Sequence, residues 1–120
     1  MLKMNRSGNN RIAEKYDAVA RSQAVIEFTP DGEIVTANQN FLDAMGYTLG
    51  EIRGQHHAMF VEEGFAETQA YRDFWDNLQR GEAQVAEFKR IGKGGRPVWI
   101  QASYNPVVDA SGRTTSIVKF

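Results

Sequence analysis

The chain has 120 residues, a formal net charge of −1 and no cysteine. Its hydrophobic share of 42% and charged share of 24% are ordinary for a globular protein with one core. The near-neutral charge gives no electrostatic reason to expect nucleic acid or an anionic membrane as a partner. No apolar run reaches the roughly 18 residues of a membrane span. The lack of cysteine excludes disulfides, thiolate metal sites and cysteine-adduct photochemistry, and weakly favours a cytoplasmic location.

The N-terminal part of the chain predicts a polar tail followed by a helix. Residues 1–9 are polar and irregular, and a helix is expected over Asn10–Arg21. Its apolar positions share one face, which needs either the domain body or another subunit as a partner: Ile12, Tyr16, Val19 and Ala20. We therefore divide the chain into residues 1–21, a tail and helix that could serve in dimerisation, and residues 22–120, the domain proper.

The next stretch predicts a β-hairpin and then short helices. Strands over Ala24–Phe28 and Glu33–Ala37 are joined by a Pro-Asp-Gly turn. Three helical segments are expected after them, over Gln39–Met45, Thr48–Ile52 and a weak turn at Ala58–Val61. Thr48 and Glu51 form a capping-box pattern at the start of the second segment.

The second half of the chain predicts one longer helix and three strands. The helix, about Thr68 to Gln79, carries one wide apolar stripe of Tyr71, Phe74, Trp75 and Leu78. The strands are expected over Gln84–Ile91, Val98–Asn105 and Thr114–Phe120, with hairpin turns at Gly92–Gly95 and Asp109–Gly112. In the middle strand Val98, Ile100, Ala102 and Tyr104 face one way, and Trp99 faces the other. This order predicts an α+β fold with helices on one face of an antiparallel sheet.

Two stretches carry a resemblance to a known family: DGEIVTANQNFLDAMGYTLGEIRG and GKGGRPVWIQASYNPVVDASGR. Together they resemble a PAS domain over about residues 22–120. More narrowly, GYTLGEIRGQHHAMF and YRDFWDNLQRGE are similar to the PAS domains of soluble bacterial methyl-accepting chemotaxis proteins and of the flavin-binding aerotaxis receptor. The resemblance implies a five-stranded antiparallel sheet, short helices on one face and a ligand pocket between them.

The resemblance also implies candidate pocket residues. Trp75 matches the helix tryptophan that contacts flavin in aerotaxis-type PAS domains, although it could simply be core. Asn38 matches an asparagine beside the flavin, although its position just before the next helix favours a role as the cap of that helix. His56 and His57 could bind a heme iron or hydrogen-bond a ligand, and the alternative is that one is solvated and the other caps a helix or fills a polar hole.

The strand residues complete the candidate pocket. Arg90 stands where flavin-binding relatives carry an asparagine that binds the polar edge of the ring. Ile100 belongs to an apolar wall that suits heme better than flavin. The cofactor implied first is FAD, the alternative is heme b, and a third possibility is no cofactor, with aromatic side chains filling the pocket. No metal site is expected from two adjacent histidines unless heme is bound.

The function implied is that of a sensor without catalytic activity. The sequence shows no nucleophile–base pair, metal cluster or phosphate loop that would indicate an enzyme. We expect a cytoplasmic sensory domain of a chemoreceptor-like protein that detects redox state, oxygen or a small ligand. The partners expected are a second copy of the chain and a C-terminal chemoreceptor signalling domain. Either the N-terminal helix or the sheet of the second copy would cover Trp99. The alternative is a cofactor-free PAS module for dimerisation and signal relay.

Overall fold

The computed structural model describes the backbone of residues 3–120 and their side chains except those of residues 3–10, Tyr16 and Val19. The α-helices in this part of the chain are α1 Lys3–Ser22, α2 Gln39–Met45, α3 Leu49–Ile52 and α4 Gln69–Gln79. The strands are β1 Ile26–Phe28, β2 Ile34–Ala37, β3 Gln84–Ile91, β4 Pro97–Val108 and β5 Thr114–Lys119. Short 3₁₀ turns occupy His57–Phe60, Phe65–Glu67 and Lys93–Gly95.

The five strands form one antiparallel sheet in the order β2-β1-β5-β4-β3. The last strand lies between the two hairpins, so that Phe28 of β1 pairs with Ile117 of β5. The inner face of this sheet and the apolar sides of α2 and α4 share one hydrophobic core. The α+β fold predicted from the sequence, with helices on one face of a five-stranded antiparallel sheet, is confirmed.

The N-terminal helix is longer than predicted. It begins at Lys3 rather than at Asn10, because no proline interrupts residues 3–9 and the helical hydrogen-bond ladder continues through them. Ile12 of its predicted apolar face is 69% exposed, so the body of the domain does not cover that residue. The side chains of Tyr16 and Val19, and residues 1 and 2, lie outside the described part of the chain.

Two strands differ in length from the prediction by two residues or more, whereas β2 and β5 are each one residue shorter than predicted. Strand β1 begins at Ile26 rather than at Ala24, because the N–H of Val25 is bound by a side chain instead of by a neighbouring strand. The Oδ1 atom of Asn38 accepts this N–H at 2.9 Å. Strand β4 extends to Val108 rather than ending at Asn105, because its pairing with β5 continues until Val108 lies opposite Thr114.

The short helices begin and end at the predicted signals. Asn38 caps α2 by accepting the N–H of Phe41 at 3.0 Å, and Gly46 ends the helix in the left-handed conformation with φ of 81°. Thr48 and Glu51 form the capping box of α3. These caps fix where each helix starts, and they turn the apolar residues of α2 toward the sheet.

The β3–β4 hairpin is attached to the end of α2 and to helix α3. Arg96 donates from Nη2 to the carbonyl of Ala44 at 3.1 Å, and Lys93 pairs with Glu51. Gly92 is buried, and a Cβ atom built there would lie only 2.8 Å from the carbonyl oxygen of Met45. The absence of a side chain at Gly92 therefore allows the hairpin to approach the helix.

We predict that Gly92→Ala lowers the free energy of unfolding by about 2 kcal/mol, because the new methyl group would push the hairpin away from the α2 backbone. The matched control is Gly50→Ala, where a Cβ atom meets nothing within 4 Å. Since Gly50 lies inside helix α3, alanine there should leave stability unchanged or raise it by up to about 1 kcal/mol. Urea unfolding of both variants measures the difference, and equal stability of the two would contradict the close approach.

Candidate functional site

His57 lies at the centre of the core and is fully buried. It begins the 3₁₀ turn His57–Phe60, which brings its ring between helix α4 and strand β4. Nδ1 lies 2.8 Å from the hydroxyl of Tyr71 on α4, and Nε2 lies 3.0 Å from the hydroxyl of Tyr104 on β4. Both ring nitrogens are therefore hydrogen-bonded to tyrosines.

Arg90 on β3 extends this set of hydrogen bonds. It donates from Nε and from Nη2 to the Tyr104 hydroxyl oxygen, at 3.2 and 3.1 Å. A guanidinium group can only donate, so two bonds from Arg90 use both lone pairs of that oxygen and leave its proton for His57 Nε2. His57 is then the neutral tautomer with its proton on Nδ1, which donates to Tyr71. We call Arg90, Tyr104, His57 and Tyr71 the His57 network.

The surroundings keep the His57 network uncharged except at Arg90. Burial, and then the positive charge of Arg90, hold the pKa of His57 well below its usual value. Burial likewise raises the pKa of Tyr104, and it raises that of Tyr71 to about 12. At neutral pH the histidine is therefore neutral and both tyrosines keep their protons. This agrees with the hydrogen-bond directions assigned above, in which Tyr104 donates to His57 and His57 donates to Tyr71.

Trp75 of α4 packs against this network. Its ring centre lies 5.3 Å from that of His57, in an edge-to-face arrangement. Its indole Nε1 is buried and has no hydrogen-bond partner. The hydroxyl of Tyr71 is close enough to interact electrostatically with the indole N–H, but the pair does not meet hydrogen-bond geometry, so the N–H group remains unpaired. A buried donor without a partner is uncommon in a protein core.

A small cavity of about 10 Å³ lies between the helices and the sheet. That is room for about one water molecule. Its wall is mostly apolar, with three nitrogen-bearing side chains and one phenol, and consists of Ile26, Phe28, Phe41, Met45, His57, Phe60, Arg90, Ile100, Tyr104 and Lys119.

Lys119, near the end of β5, contributes a second buried cation to this wall. Only 4% of the residue is exposed, and its ammonium nitrogen lies 4.9 Å from the ring centre of Phe41. Burial, and then the nearby charge of Arg90, lower the pKa of Lys119 to about 8. The cavity wall thus carries two positive groups, and neither is paired with an Asp or Glu side chain of the described residues.

A family model described as the PAS fold matches residues 34–120. The chain belongs to the PAS-fold family. It is 44% identical over 111 residues to the biofilm dispersion protein BdlA of Pseudomonas aeruginosa, a match that covers 92% of this chain and 27% of that protein. It is 36% identical over 75 residues to the aerotaxis receptor of Escherichia coli, covering 62% of this chain and 15% of the receptor. The resemblance to chemoreceptor PAS domains expected from the sequence is confirmed, and the chain spans only a minor part of these relatives.

Solved structures show the same fold. A PAS domain from Colwellia psychrerythraea superposes with a TM-score of 0.76 at 16% identity, covering 90% of this chain and 92% of that one. A light-oxygen-voltage domain from work with a flavin analogue superposes with a TM-score of 0.72 at 24% identity, covering 86% and 78%. Within residues 3–120 of this PAS domain, no helix combines the length and apolar character of a membrane-crossing segment.

The PAS fold brings four of the six candidate residues together. His57, Arg90 and Ile100 line the cavity, and Trp75 contacts His57 beside it. These four come from the 3₁₀ turn, β3, β4 and α4 respectively. The cavity therefore lies between the helices and the sheet, next to these four residues.

Asn38 lies away from the cavity, at the junction of α1, β1 and α2. Its Oδ1 accepts from the N–H groups of Val25 and Phe41, and its Nδ2 donates to the carbonyls of Ala20 and Gln23. All the hydrogen-bonding capacity of the side chain is used by the backbone. The geometry therefore supports the capping role of Asn38 rather than the cofactor contact that the resemblance implied.

His56 is exposed and also makes structural bonds. Its Nδ1 accepts the N–H of Ala58, which caps the 3₁₀ turn, and its Nε2 lies 2.9 Å from the carbonyl of Asp31 in the β1–β2 hairpin. Because the adjacent Gly32 leaves room for the ring, the hairpin and the turn lie in contact. The geometry gives His56 no position in the cavity wall and favours the alternative that it caps a helix.

Three residues of the site were not among the candidates: Tyr71, Tyr104 and Lys119. Alternation along β4 already turned Tyr104 inward, and the same alternation from Ile117 along β5 would have turned Lys119 inward. The helical stripe likewise contained Tyr71. The hydrogen-bond partner of each polar group could not be predicted from the sequence, because it depends on how α4, β4 and the 3₁₀ turn meet at His57.

We predict that Tyr104→Phe lowers the free energy of unfolding by about 3 kcal/mol, because it leaves Arg90 and His57 with buried donors and acceptors unpaired. The matched control, Tyr71→Phe, removes a hydroxyl with a single bond in the His57 network and should cost about 1 kcal/mol. Chemical denaturation measures both losses. Losses of the same size would contradict the central position of Tyr104.

Proposed function

We propose that this PAS domain is the sensory module of a chemoreceptor-like protein and detects redox state, oxygen or a small ligand through a molecule bound in its core. The observation that carries the proposal is the unused polar capacity around the cavity. Trp75 has an unpaired indole N–H, and Lys119 has an aromatic ring but no acidic side chain as a partner. Groups of this kind cost stability in a closed core, and a bound molecule that pairs them would recover that cost.

Of the two cofactors implied by the resemblance, FAD has the better support. Trp75 could donate its free N–H to a flavin, Ile100 could pack on the ring, and Arg90 could donate to the polar edge. A bound flavin would supply a redox change for the domain to report. Because the cavity measures only about 10 Å³, side chains such as Phe41 would have to move for a flavin to enter.

Heme b fits the arrangement less well. A histidine that binds heme iron must offer a nitrogen lone pair, and His57, with its proton on Nδ1, uses the lone pair of Nε2 to accept from Tyr104. His56 points to the hairpin instead of the cavity. Neither histidine therefore offers a free axial ligand to a heme iron, and the proposal does not include heme.

A second candidate function is a cofactor-free module for dimerisation and signal relay. The observation that favours it is the closed cavity, which aromatic side chains such as Phe28, Phe41 and Phe60 nearly fill.

In both candidate functions the domain relays a signal and carries out no catalysis. The signal passes to a chemoreceptor signalling domain that lies C-terminal to the PAS domain. The relatives are several times longer than this chain, which leaves room for such a domain in them. A cytoplasmic location belongs to the same proposal and is supported by the lack of cysteine.

We expect the purified protein to show flavin absorbance, or to acquire it on titration with FAD, with quenching of Trp75 fluorescence. Trp75→Phe keeps the ring packing but removes the N–H, so it should weaken FAD binding by about tenfold. Trp99→Phe is the matched control, because Trp99 is exposed on the outer face of the sheet. A protein without flavin bands after incubation with excess FAD would overturn the flavin proposal, and a Soret band after incubation with hemin would favour heme instead.

We further propose that the outer face of the sheet is a dimer interface. Trp99 on β4 is 64% exposed and Val85 on β3 is 69% exposed, and strand alternation places both on this face. Val107 follows on the same face, and Ile12 of α1 is also exposed. Large apolar side chains grouped on one face indicate an interaction surface, and a second copy with its own α1 would cover them.

We expect the protein to be a dimer by light scattering or sedimentation, and Trp99→Lys to shift it toward monomer, because a charge would be placed in the apolar interface. Phe65→Lys is the control, since Phe65 is 39% exposed but lies in a 3₁₀ turn away from the sheet. A wild-type protein that stays monomeric at high concentration would contradict the dimer proposal.

A further inference from the structure

The charges around the core cavity are all of one sign. Arg90 is 6% exposed and Lys119 is 4% exposed, and both line the cavity. Ion pairs that involve Asp or Glu in the described residues join exposed groups, as in the pair of Lys89 and Glu62 at 2.9 Å. None of them includes either buried cation. The interior therefore holds two cationic side chains and no acidic one next to them.

The partners of the two cations differ. Arg90 has neutral ones: the Tyr104 hydroxyl, the carbonyl of Lys89 at 3.2 Å, and the ring of Phe88, whose centre lies 4.7 Å from its guanidinium carbon. Lys119 has the ring of Phe41. A cation on an aromatic face recovers only part of the cost of leaving water. The lowered pKa of Lys119 is the expected consequence of burial and of the like charge of Arg90.

The apolar part of the cavity wall indicates what kind of molecule could fit beside the two cations. Around the cations the wall is formed by apolar side chains, including Ile26, Met45, Phe60 and Ile100. Met45 and Phe41 both belong to helix α2, and a methionine side chain adapts easily to a new neighbour. A molecule with an apolar body and one negatively charged end would match this wall if helix α2 moved outward to enlarge the cavity.

We propose that the ligand of the core pocket carries an anionic oxygen group that lies between Arg90 and Lys119, and that a small carboxylic acid with an apolar body is its simplest form. This inference rests on the proposed function, in which the core binds a ligand, and adds the chemical class of that ligand. The same group could also be supplied by the phosphates of a flavin nucleotide or by the propionates of heme, and the experiment below separates these sources.

The test measures binding to the purified protein by thermal shift and calorimetry. The probes are hexanoate, its uncharged counterpart hexanamide, FAD, hemin and sodium chloride. We expect hexanoate to raise the melting temperature and hexanamide and chloride to leave it unchanged at the same concentration. If FAD or hemin binds in place of hexanoate, and does so through Lys119, the anionic group belongs to that cofactor and the proposal holds.

Lys119→Met is the decisive variant, because methionine keeps the apolar stem and removes the charge. We expect about tenfold or greater loss of affinity for the anionic probe. Without any probe, Lys119→Met should melt at a higher temperature than the wild type, because a buried cation without an acidic partner has been removed. Lys119→Arg, which keeps the charge, should retain binding. Lys89→Met removes a cation from the surface of the same sheet and should bind as the wild type does.

Two results would overturn the inference, and they differ in what else they overturn. If the probes bind Lys119→Met as tightly as the wild type, or if chloride alone stabilises the protein as well as hexanoate does, the pocket does not select an organic acid, while the proposed sensory function stands. If no probe binds the wild type, the inference and the proposed ligand-sensing function fail together.

Discussion

The arrangement of the core depends on one hydroxyl group, that of Tyr104. It accepts two hydrogen bonds from Arg90 and donates one to His57, which in turn donates to Tyr71. These bonds join strands β3 and β4, the 3₁₀ turn and helix α4. Each member is a buried polar group whose partner is another member, so the loss of one leaves the next unpaired at a cost of about 1–3 kcal/mol each. The His57 network therefore holds these four elements in one arrangement.

The His57 network and the neighbouring contact of Arg96 connect the pocket to both hairpins. The N–H of His57 donates to the carbonyl of Gly32 at 2.8 Å, in the turn between β1 and β2. On the other side, Arg96 of the second hairpin donates to the end of α2, the helix that carries Phe41 and Met45. A molecule that entered the cavity would press on α2 and on the His57 network together. The displacement would then reach β5, which lies between the two hairpins and carries Lys119.

Local signals in the sequence predicted most of this fold. Asn38, Gly46 and the capping box of Thr48 set the helix boundaries, and the alternation along β4 correctly turned Ile100 and Tyr104 inward. The ends of β1 and β4 were wrong, because they depend on a side-chain bond from Asn38 and on pairing with β5. The site was harder to predict. The roles of His56 and His57 differ completely although they are neighbours, since one caps a turn at the surface and the other lies at the meeting point of three elements.

The packing around the cavity and the buried cations favour two different states of the core, one closed and one occupied by a ligand. Packing of Phe41, Met45 and Phe60 favours the closed core, since every gap in a core forfeits contacts. In the proposed ligand-binding function, the charges of Arg90 and Lys119 would favour an occupied core, since an anion can pair with both. A ligand shifts such a balance by the difference between its affinities for the two arrangements, and tight binding to both would shift nothing. In the closed arrangement the cavity has no space for a molecule larger than about one water. An anionic ligand would therefore bind the open arrangement alone, and its entire binding free energy would be available to move α2 and β5.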